Sequence, residues 1–334
     1  LSVQERCDYL LRLRDVVHKN GEEVARAMTL EMGMPITAAR KTVEKALGRF
    51  DGFTSMAQQA LKPKIVQEDD SQISTVYREP YGVAGIIAPW NFPIGNFALT
   101  SIQPLLGGNT IVYKLSEEVV RFGELLDRLM EEASLPEGVF NQVYGDGEVG
   151  KKLVSSPDLD FIHFTGSSAT GKKIYSAAGE ALTPVTLELG GSDAGIVFAD
   201  ADLDAQIENI FWAKFINAGQ ICCGLKRLLV ERSVYEKTIE KLKDYIATMP
   251  VGDPMQEQTR FGPLAAPRQV DLLKEQIKDA TDKGAKEVVC GTIPETCKNG
   301  AYYAPSLLLD ITPEMRAWRE ELFGPVLTVL PFDT

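Results

Sequence analysis

Residues 82–93 read GVAGIIAPWNFP, a short apolar run that ends in a loop bounded by two prolines. Similar strand-like runs follow at residues 110–114, 141–144, 161–164 and 185–189. Helical segments separate these runs; one of them, residues 117–134, places its apolar residues on a single face. Strands that alternate with helices predict βαβ units and a parallel sheet.

A second α/β pattern begins near Ala194, and we place the boundary between the two patterns at Gly190 and Gly191. Residues 62–79 are β-prone and interrupted by polar residues, which predicts a projecting hairpin that serves as an assembly arm. The predicted organisation is therefore one domain from residues 1–61 and 80–190, the arm at 62–79, and a second domain at 191–334.

The composition excludes several classes of function. The net charge of −12 opposes binding to nucleic acid, and no apolar run reaches the length of about 18 residues that a membrane helix needs. Five cysteines without CxxC spacing indicate a reducing compartment, and we expect a cytoplasmic protein. Only two histidines are present, so we expect neither a metal site nor a Ser/His/Asp triad.

Two segments offer reactive side chains. Cys222 lies in NAGQICCG (217–224), a turn of small residues behind a helical pattern, where a thiolate is accessible. Glu188 lies in LELGG (187–191), a strand-like run that ends in two glycines, where Leu187 and Leu189 are expected to shield its carboxylate from water. A nucleophile and a general base are therefore both available.

Five ordered motifs resemble those of the NAD(P)-dependent aldehyde dehydrogenase superfamily. They are PWNFP (89–93), FTGS (164–167), LELGG (187–191), GQIC (219–222) and ELFGP (321–325). The resemblance extends over the whole chain. It implies an α/β fold with two Rossmann-like parallel-sheet domains and a protruding β arm for oligomerisation, in a homodimer or homotetramer.

The resemblance also implies catalytic roles. Cys222 attacks the aldehyde, and the side-chain amide of Asn91 and the backbone N–H of Cys222 stabilise the negative oxygen that forms. After hydride transfer, Glu188 activates the water that releases the carboxylic acid. Cys223 is expected to act as a small hydrophobe beside the nucleophile, with a redox pairing to Cys222 as the alternative.

The cofactor that the resemblance implies is NAD. Lys114 binds the adenosine ribose, and Glu117 accepts a hydrogen bond from its 2′-hydroxyl and repels a 2′-phosphate, which favours NAD over NADP. The GxGxxG at residues 145–150 is weak support by itself, because the acidic residue expected about 20 positions later is missing. The predicted cofactor residues are Ala88, Pro89, Trp90, Lys114, Glu117, Gly147, Gly150, Phe164, Thr165, Gly166, Ser167, Gly171, Leu189, Gly190, Glu321 and Phe323.

Some alternatives stay open at this stage. A CoA-acylating dehydrogenase and a catalytically silent member of the fold are the rival functions, and the presence of Glu188, Cys222 and Asn91 argues against both. Residues 94–102 contain no arginine to bind a distal carboxylate of the substrate. Phe211, Trp212 and Phe215 form either an apolar tunnel wall, together with Ile221, or part of a core. Family members continue beyond ELFGP, so we expect the sequence to be a fragment.

Overall fold

The computed structural model describes all 334 residues, which divide into two compact units. The first unit contains residues 1–28 and 40–189, and the second contains 29–39 and 190–334. The predicted boundaries differ from these at residues 29–39, which the sequence pattern places in the first domain. Within the second unit, the N–H of Ile36 donates to the carbonyl of Pro254 at 2.9 Å, and Gly33 packs so closely on Pro263 that a Cβ would lie 2.4 Å from its carbonyl oxygen.

The first unit carries seven helices, of which α2 and α3 extend into residues 29–39 of the second unit. They are α1 (Val3–Lys19), α2 (Gly21–Met32), α3 (Ile36–Ala60), α4 (Pro93–Gly107), α5 (Val120–Glu132), α6 (Gly147–Val154) and α7 (Ser168–Glu180). A capping box starts α1: Ser2 accepts a hydrogen bond from the N–H of Glu5, and the Glu5 carboxylate accepts one from the N–H of Ser2. The amphipathic helix predicted at residues 117–134 corresponds to α5.

An antiparallel hairpin forms the segment predicted to be an arm. Its strands are β1 (Lys64–Glu68) and β2 (Ile73–Val76). At the turn, Asp69 Oδ1 accepts hydrogen bonds from the N–H groups of Ser71 and Gln72, which holds the turn closed. The hairpin leaves large apolar side chains exposed: Ile65, Val66, Ile73 and Val76.

Five parallel strands form the sheet of the first unit. They are β3 (Val83–Ile87), β4 (Thr110–Lys114), β5 (Phe140–Val143), β6 (Phe161–Thr165) and β7 (Val185–Glu188), in the order β5-β4-β3-β6-β7. The chain runs outwards from β3 to β5 and then returns to the other side of β3 to form β6 and β7. The strand order therefore reverses between β3 and β6, and ligands of open α/β sheets bind at the carboxyl end of such a switch point.

The second unit contains a five-stranded sheet in the order β10-β11-β12-β9-β8, with only β10 antiparallel to its neighbour. Its strands are β8 (Asp193–Val197), β9 (Leu225–Glu231), β10 (Lys286–Val289), β11 (Ser306–Leu309) and β12 (Val326–Phe332). Its helices are α8 (Leu203–Phe215), α9 (Tyr235–Ala247), α10 (Pro267–Asp282) and α11 (Arg316–Arg319). The two parallel-sheet units confirm the predicted α/β fold class. Strands β10 and β11 were not predicted, because each has only four residues and Lys286 and Glu287 open β10 with charges.

Aromatic packing in the second unit decides one of the open alternatives. Phe211 and Phe215 are 1% exposed and pack edge-on against Phe261, with ring centroids 5.7 and 5.6 Å apart. Both residues belong to the core and do not line a tunnel. Trp212 of the same helix is exposed and donates its Nε1–H to Glu208.

No helix in the protein is long and apolar enough to cross a bilayer.

Candidate active site

Hydrogen bonds between successive strand ends order the carboxyl edge of the first sheet. The N–H of Ala88, the residue after β3, donates to the carbonyl of Lys114 at 3.0 Å. On the other side, the N–H of Gly166 donates to the carbonyl of Glu188 at 3.0 Å. The ends of these four strands therefore lie at one edge, where Pro89 and half-buried Trp90 begin the loop to α4.

Asn91 is buried in that loop, two residues before α4 begins at Pro93. Its Oδ1 accepts a hydrogen bond from Asn96 Nδ2 at 3.4 Å. With the oxygen accepting from Asn96, the Nδ2 group of Asn91 is the end that can donate to an oxyanion. The predicted oxyanion residue is thus oriented by a second asparagine on the first turn of α4.

Glu188 is the last residue of β7, and its side chain is exposed. The expected shielding by Leu187 and Leu189 is therefore wrong, because neighbouring residues of a strand point to opposite faces. Leu187 faces the apolar cluster of the unit, and Glu188 faces away from it. On β6, burial lowers the pKa of His163, and the negative charge of Glu188 opposes this shift.

The amino terminus of α7 follows β6 directly and presents a tight backbone. A Cβ at Gly171 would lie 2.6 Å from Leu189 Cδ2, so these two predicted cofactor residues are packed together. Ser167 caps the helix: its Oγ accepts from the N–H of Thr170 and donates to Thr170 Oγ1 at 3.1 Å. The Ser167 hydroxyl is engaged inside the cap, and backbone N–H groups of the first turn are the donors that remain at this end. In the FTGS motif (164–167), Phe164 is buried and Thr165 is half-buried.

Lys114 ends β4 and is 4% exposed. Its Nζ donates to the carbonyl of Leu115 at 3.0 Å, and its aliphatic chain lies 3.6 Å from the Cβ position of Gly150. Burial lowers the pKa of Lys114, while the charges of Glu117 and Asp146 oppose that shift. A lysine, two carboxylates and the glycine-rich start of α6 therefore meet beyond β4.

The literal GxGxxG forms the cap of α6. Asp146 accepts from the N–H of Glu148, and Gly147 begins the helix with nothing within 4 Å of its Cβ position. Gly145 adopts φ 147° and packs against Val149. The exposed surface at Gly147 leaves room for a ligand beside Lys114.

In the second unit, a left-handed turn precedes the candidate nucleophile. Asn217, Ala218 and Gly219 have φ values of 53°, 52° and 77°, a region that residues with a Cβ rarely adopt. The turn ends at Gln220, and both Cys222 and Cys223 follow as exposed residues. Local strain of this kind concentrates at functional sites.

Two opposing effects act on the Cys222 thiol. Partial desolvation, followed by the neighbouring Cys223 thiol, raises its pKa, and hydrogen bonds from the backbone N–H groups of Cys223 and Cys222 oppose the rise. Because the net direction is upwards, the thiol form prevails at neutral pH and a base is needed to generate the nucleophile. The two N–H groups nevertheless face the sulfur.

Buried Lys226 lies beneath this loop, and sequence reasoning missed it. Its Nζ donates to the carbonyls of Ile221, Cys222 and Gly224 at 2.6, 3.1 and 3.1 Å. The same nitrogen lies 3.1 Å from Glu321 Oε1. Since the three N–H groups of a lysine are used by the three carbonyls, the carboxylate compensates the charge without accepting a hydrogen bond.

Glu321 is the point where three segments of the second unit meet. A Cβ at Gly190 would lie 2.0 Å from Glu321 Oε2, so a side chain there would displace the carboxylate. Two residues further on, Phe323 is half-buried. Glu321 Oε1 is buried and accepts no hydrogen bond, so the Lys226 charge compensates it.

Two further residues beside the nucleophile were also missed. Lys214 of α8 is fully buried and donates to the carbonyl of Leu322 at 3.1 Å. Arg227 of β9 donates twice to the carbonyl of Ser192, at 2.7 and 3.1 Å. For Lys214 the available signal was a basic residue between the apolar neighbours Ala213 and Phe215 of a helix, which marks a buried cation that binds a backbone carbonyl.

Comparison with known proteins identifies the family. A model of the aldehyde dehydrogenase family matches residues 1–334. The peroxisomal aminoaldehyde dehydrogenase 2 of Pisum sativum is 34% identical over 333 residues, which are 98% of this chain and 66% of the pea protein. The structure of an aldehyde dehydrogenase from Bartonella henselae superposes with a TM-score of 0.94 at 36% identity, and that of PnpE in complex with nicotinamide adenine dinucleotide with 0.95 at 34%. All of this chain is covered in both cases, against 70% and 69% of the other chains.

The chain thus spans about two thirds of the length of the curated relatives it matches. Family match, sequence identity and superposition agree over its whole length. The protein belongs to the aldehyde dehydrogenase family.

Proposed function

We propose that this protein oxidises an aldehyde to a carboxylic acid, with NAD as the hydride acceptor, through a covalent intermediate on Cys222. The observation that carries the proposal is the exposed Cys222 thiol at the end of a left-handed turn, with backbone N–H groups directed at its sulfur. A structural cysteine has no use for such a setting, whereas a nucleophile that must attack a carbonyl carbon needs it.

The chemistry follows from the roles of the side chains. The Cys222 thiol gives its proton to a base in the solvent, and the thiolate adds to the aldehyde carbon. The resulting oxyanion is stabilised by the Asn91 amide and the Cys222 N–H. Oxidation of this thiohemiacetal to a thioester requires a hydride acceptor, the chemistry that bound NAD supplies. Glu188 then takes a proton from water, and the hydroxide displaces the Cys222 sulfur to give the acid. Its exposure supports this role, since the base must reach bulk water.

The residues of the first sheet edge fit a dinucleotide. The amino terminus of α7, with Gly166 before it, offers backbone donors to the pyrophosphate. Lys114 and Glu117 offer a cation and a carboxylate to the adenosine ribose, beside the open surface at Gly147. In the second unit, the half-buried Glu321 offers a carboxylate to the nicotinamide ribose.

We expect NAD to be preferred over NADP. Glu117 is exposed beyond β4 and is close enough to Lys114 to affect its pKa. A carboxylate in that position accepts from a ribose 2′-hydroxyl and repels a 2′-phosphate. The complex of PnpE with nicotinamide adenine dinucleotide supports the class of cofactor.

The substrate that we propose is a small aliphatic or aromatic aldehyde without a distal carboxylate. Helix α4, which follows Asn91, contains no lysine or arginine between Pro93 and Gly107. The relatives carry names as different as aminoaldehyde, betaine aldehyde and 2-hydroxymuconic semialdehyde dehydrogenase, so similarity alone does not select a substrate.

We further propose that the β1–β2 hairpin joins subunits in a homodimer or homotetramer. Its exposed apolar residues support this role, because monomeric proteins seldom expose contiguous apolar surface. The five unpaired cysteines support a reducing compartment such as the cytoplasm.

Production of NADH from a panel of aldehydes, with and without CoA, tests the proposal against its rivals. Aldehyde oxidation that needs only NAD supports it, a strict need for CoA indicates an acylating enzyme, and no NADH with any aldehyde indicates a silent member. The variant Glu188→Gln should still produce a burst of NADH, about one equivalent per site, but release acid slowly. Undiminished steady-state turnover in that variant would remove Glu188 from the mechanism.

A further inference from the structure

The strongest unassigned feature is the Lys226 ammonium, which is buried under a loop that faces solvent at two cysteines. Burying a cation is strongly unfavourable unless it is fully paired, because the ion leaves its water shell. Lys226 is 2% exposed, and its three donors meet three carbonyls of residues 221–224. Such a complete set of hydrogen bonds within one short loop fixes the direction of each peptide plane that it touches.

The direction of the carbonyls determines the direction of the N–H groups. All peptide bonds of the chain are trans. In a planar trans peptide, the C=O of one residue and the N–H of the next point in opposite directions. Since the carbonyls of Ile221 and Cys222 point inwards to Lys226, the N–H groups of Cys222 and Cys223 point outwards.

An independent observation agrees with this geometry. The backbone N–H groups of Cys223 and Cys222 lower the pKa of the Cys222 thiol, against the larger effect of its burial, as groups that face the sulfur would. Two adjacent N–H groups on one side of a loop form a concave site for an anion. The anion here is first the thiolate and then the oxygen formed by its addition to an aldehyde.

We propose that Lys226 is a positioning residue, which pulls two carbonyls inwards and thereby directs the N–H groups of Cys222 and Cys223 at the sulfur and at the oxyanion. The N–H of Cys223 is then a second backbone donor beside that of Cys222. Glu321 neutralises the buried ammonium at 3.1 Å, so the loop is held by hydrogen bonds rather than by an excess of positive charge. The role at the oxyanion rests on the proposed function, whereas the role at the sulfur does not.

The test measures alkylation of Cys222 by iodoacetamide against pH, without cofactor or aldehyde, in a Cys223→Ser background. The labelled residue is identified by mass spectrometry. In Lys226→Met, which keeps most of the side-chain volume but has no donor, the rate at pH 7.5 should fall about tenfold and the midpoint of the profile should move to higher pH, as expected when charge-assisted hydrogen bonds to a thiolate are removed. A Lys226→Met profile equal to that of the parent overturns the proposal.

Lys214→Met is the matched control. It also removes a buried lysine of the second unit, but the hydrogen bond that it removes is to Leu322 and not to the cysteine loop. The Lys214 ammonium also feels the charges of Lys226 and Glu321, so its removal should shift the Cys222 midpoint much less than Lys226→Met does, although both variants lower the free energy of unfolding. An equal shift in both variants would mean general loosening and would also overturn the proposal.

The double variant Lys226→Met/Glu321→Gln separates geometry from charge. Removing both partners restores neutrality, so a midpoint that returns to the parent value means that only the uncompensated carboxylate mattered, which refutes the positioning role. A midpoint that stays shifted supports that role.

If Lys226→Met does not fold, the shorter and uncharged Lys226→Gln replaces it. This variant should shift the midpoint in the same direction, and an unshifted midpoint refutes the proposal. Absence of aldehyde oxidation in the unmodified protein would contradict the proposed function but leave this result standing.

Discussion

Gly219→Ala is the substitution for which the structure predicts the sharpest loss of stability. Gly219 adopts φ 77°, where an alanine costs about 1–2 kcal/mol. Its new Cβ would lie 2.1 Å from the carbonyl oxygen of Gly324, which would have to retreat by about 1.3 Å to reach the 3.4 Å of an ordinary van der Waals separation. That carbonyl accepts the N–H of Val326 at the start of β12, so the retreat disturbs a central strand. Overpacking of this kind costs a further amount of about 1–3 kcal/mol, the range seen in well-packed cores.

The expected loss of unfolding free energy in Gly219→Ala is therefore about 2–5 kcal/mol, a large share of a typical total of about 5–15 kcal/mol. Gly138→Ala is the matched control, because Gly138 has φ 78° and nothing within 4 Å of its Cβ position. Gly138→Ala should lose only the unfolding free energy that an alanine costs at positive φ, about 1–2 kcal/mol. Urea titrations followed by circular dichroism measure both variants. Equal urea midpoints for the two variants would refute the steric argument. A slower alkylation of Cys222 in Gly219→Ala alone would show that the turn positions the nucleophile.

Three further outcomes are expected. The rate of Cys222 alkylation should rise with pH through a midpoint above that of a free cysteine measured in parallel. The reason is that the pKa of the Cys222 thiol is raised, and its thiolate is protonated as the pH falls. A midpoint below that of free cysteine would contradict the desolvation of the thiol. Lys114→Met should raise the dissociation constant for NAD about tenfold or more in calorimetric titration, because the variant cannot form a charge-assisted hydrogen bond to the ribose, and unchanged binding would remove Lys114 from the site. Glu117→Gln should narrow the preference for NAD over NADP, measured as the ratio of the two kcat/KM values, and an unchanged ratio would assign the selectivity elsewhere.

The pattern of short apolar runs determined the sheet of the first unit. Each predicted run became a strand of that sheet to within one or two residues. The inner strands β3, β4 and β6 are the most buried, and a strand covered on both faces needs a largely apolar sequence. The order of the motifs likewise indicates the family, which the match over residues 1–334 confirms. Local sequence carries both kinds of information.

Other features depended on tertiary contacts. The alternation of β7 turned Glu188 away from the apolar cluster, although leucines flank it in sequence. Packing against Phe261 assigned Phe211 and Phe215 to the core, where helical spacing had left a tunnel wall equally open.

Lys226 shows this dependence on tertiary contacts most clearly. Its sequence neighbours predict only an interior strand, and its partners include a carboxylate 95 positions away. The sequence alone determined which residues can do chemistry and which elements hold them. The tertiary structure decided which charges are paired and which faces meet water, because those depend on atoms that are close in space and distant along the chain.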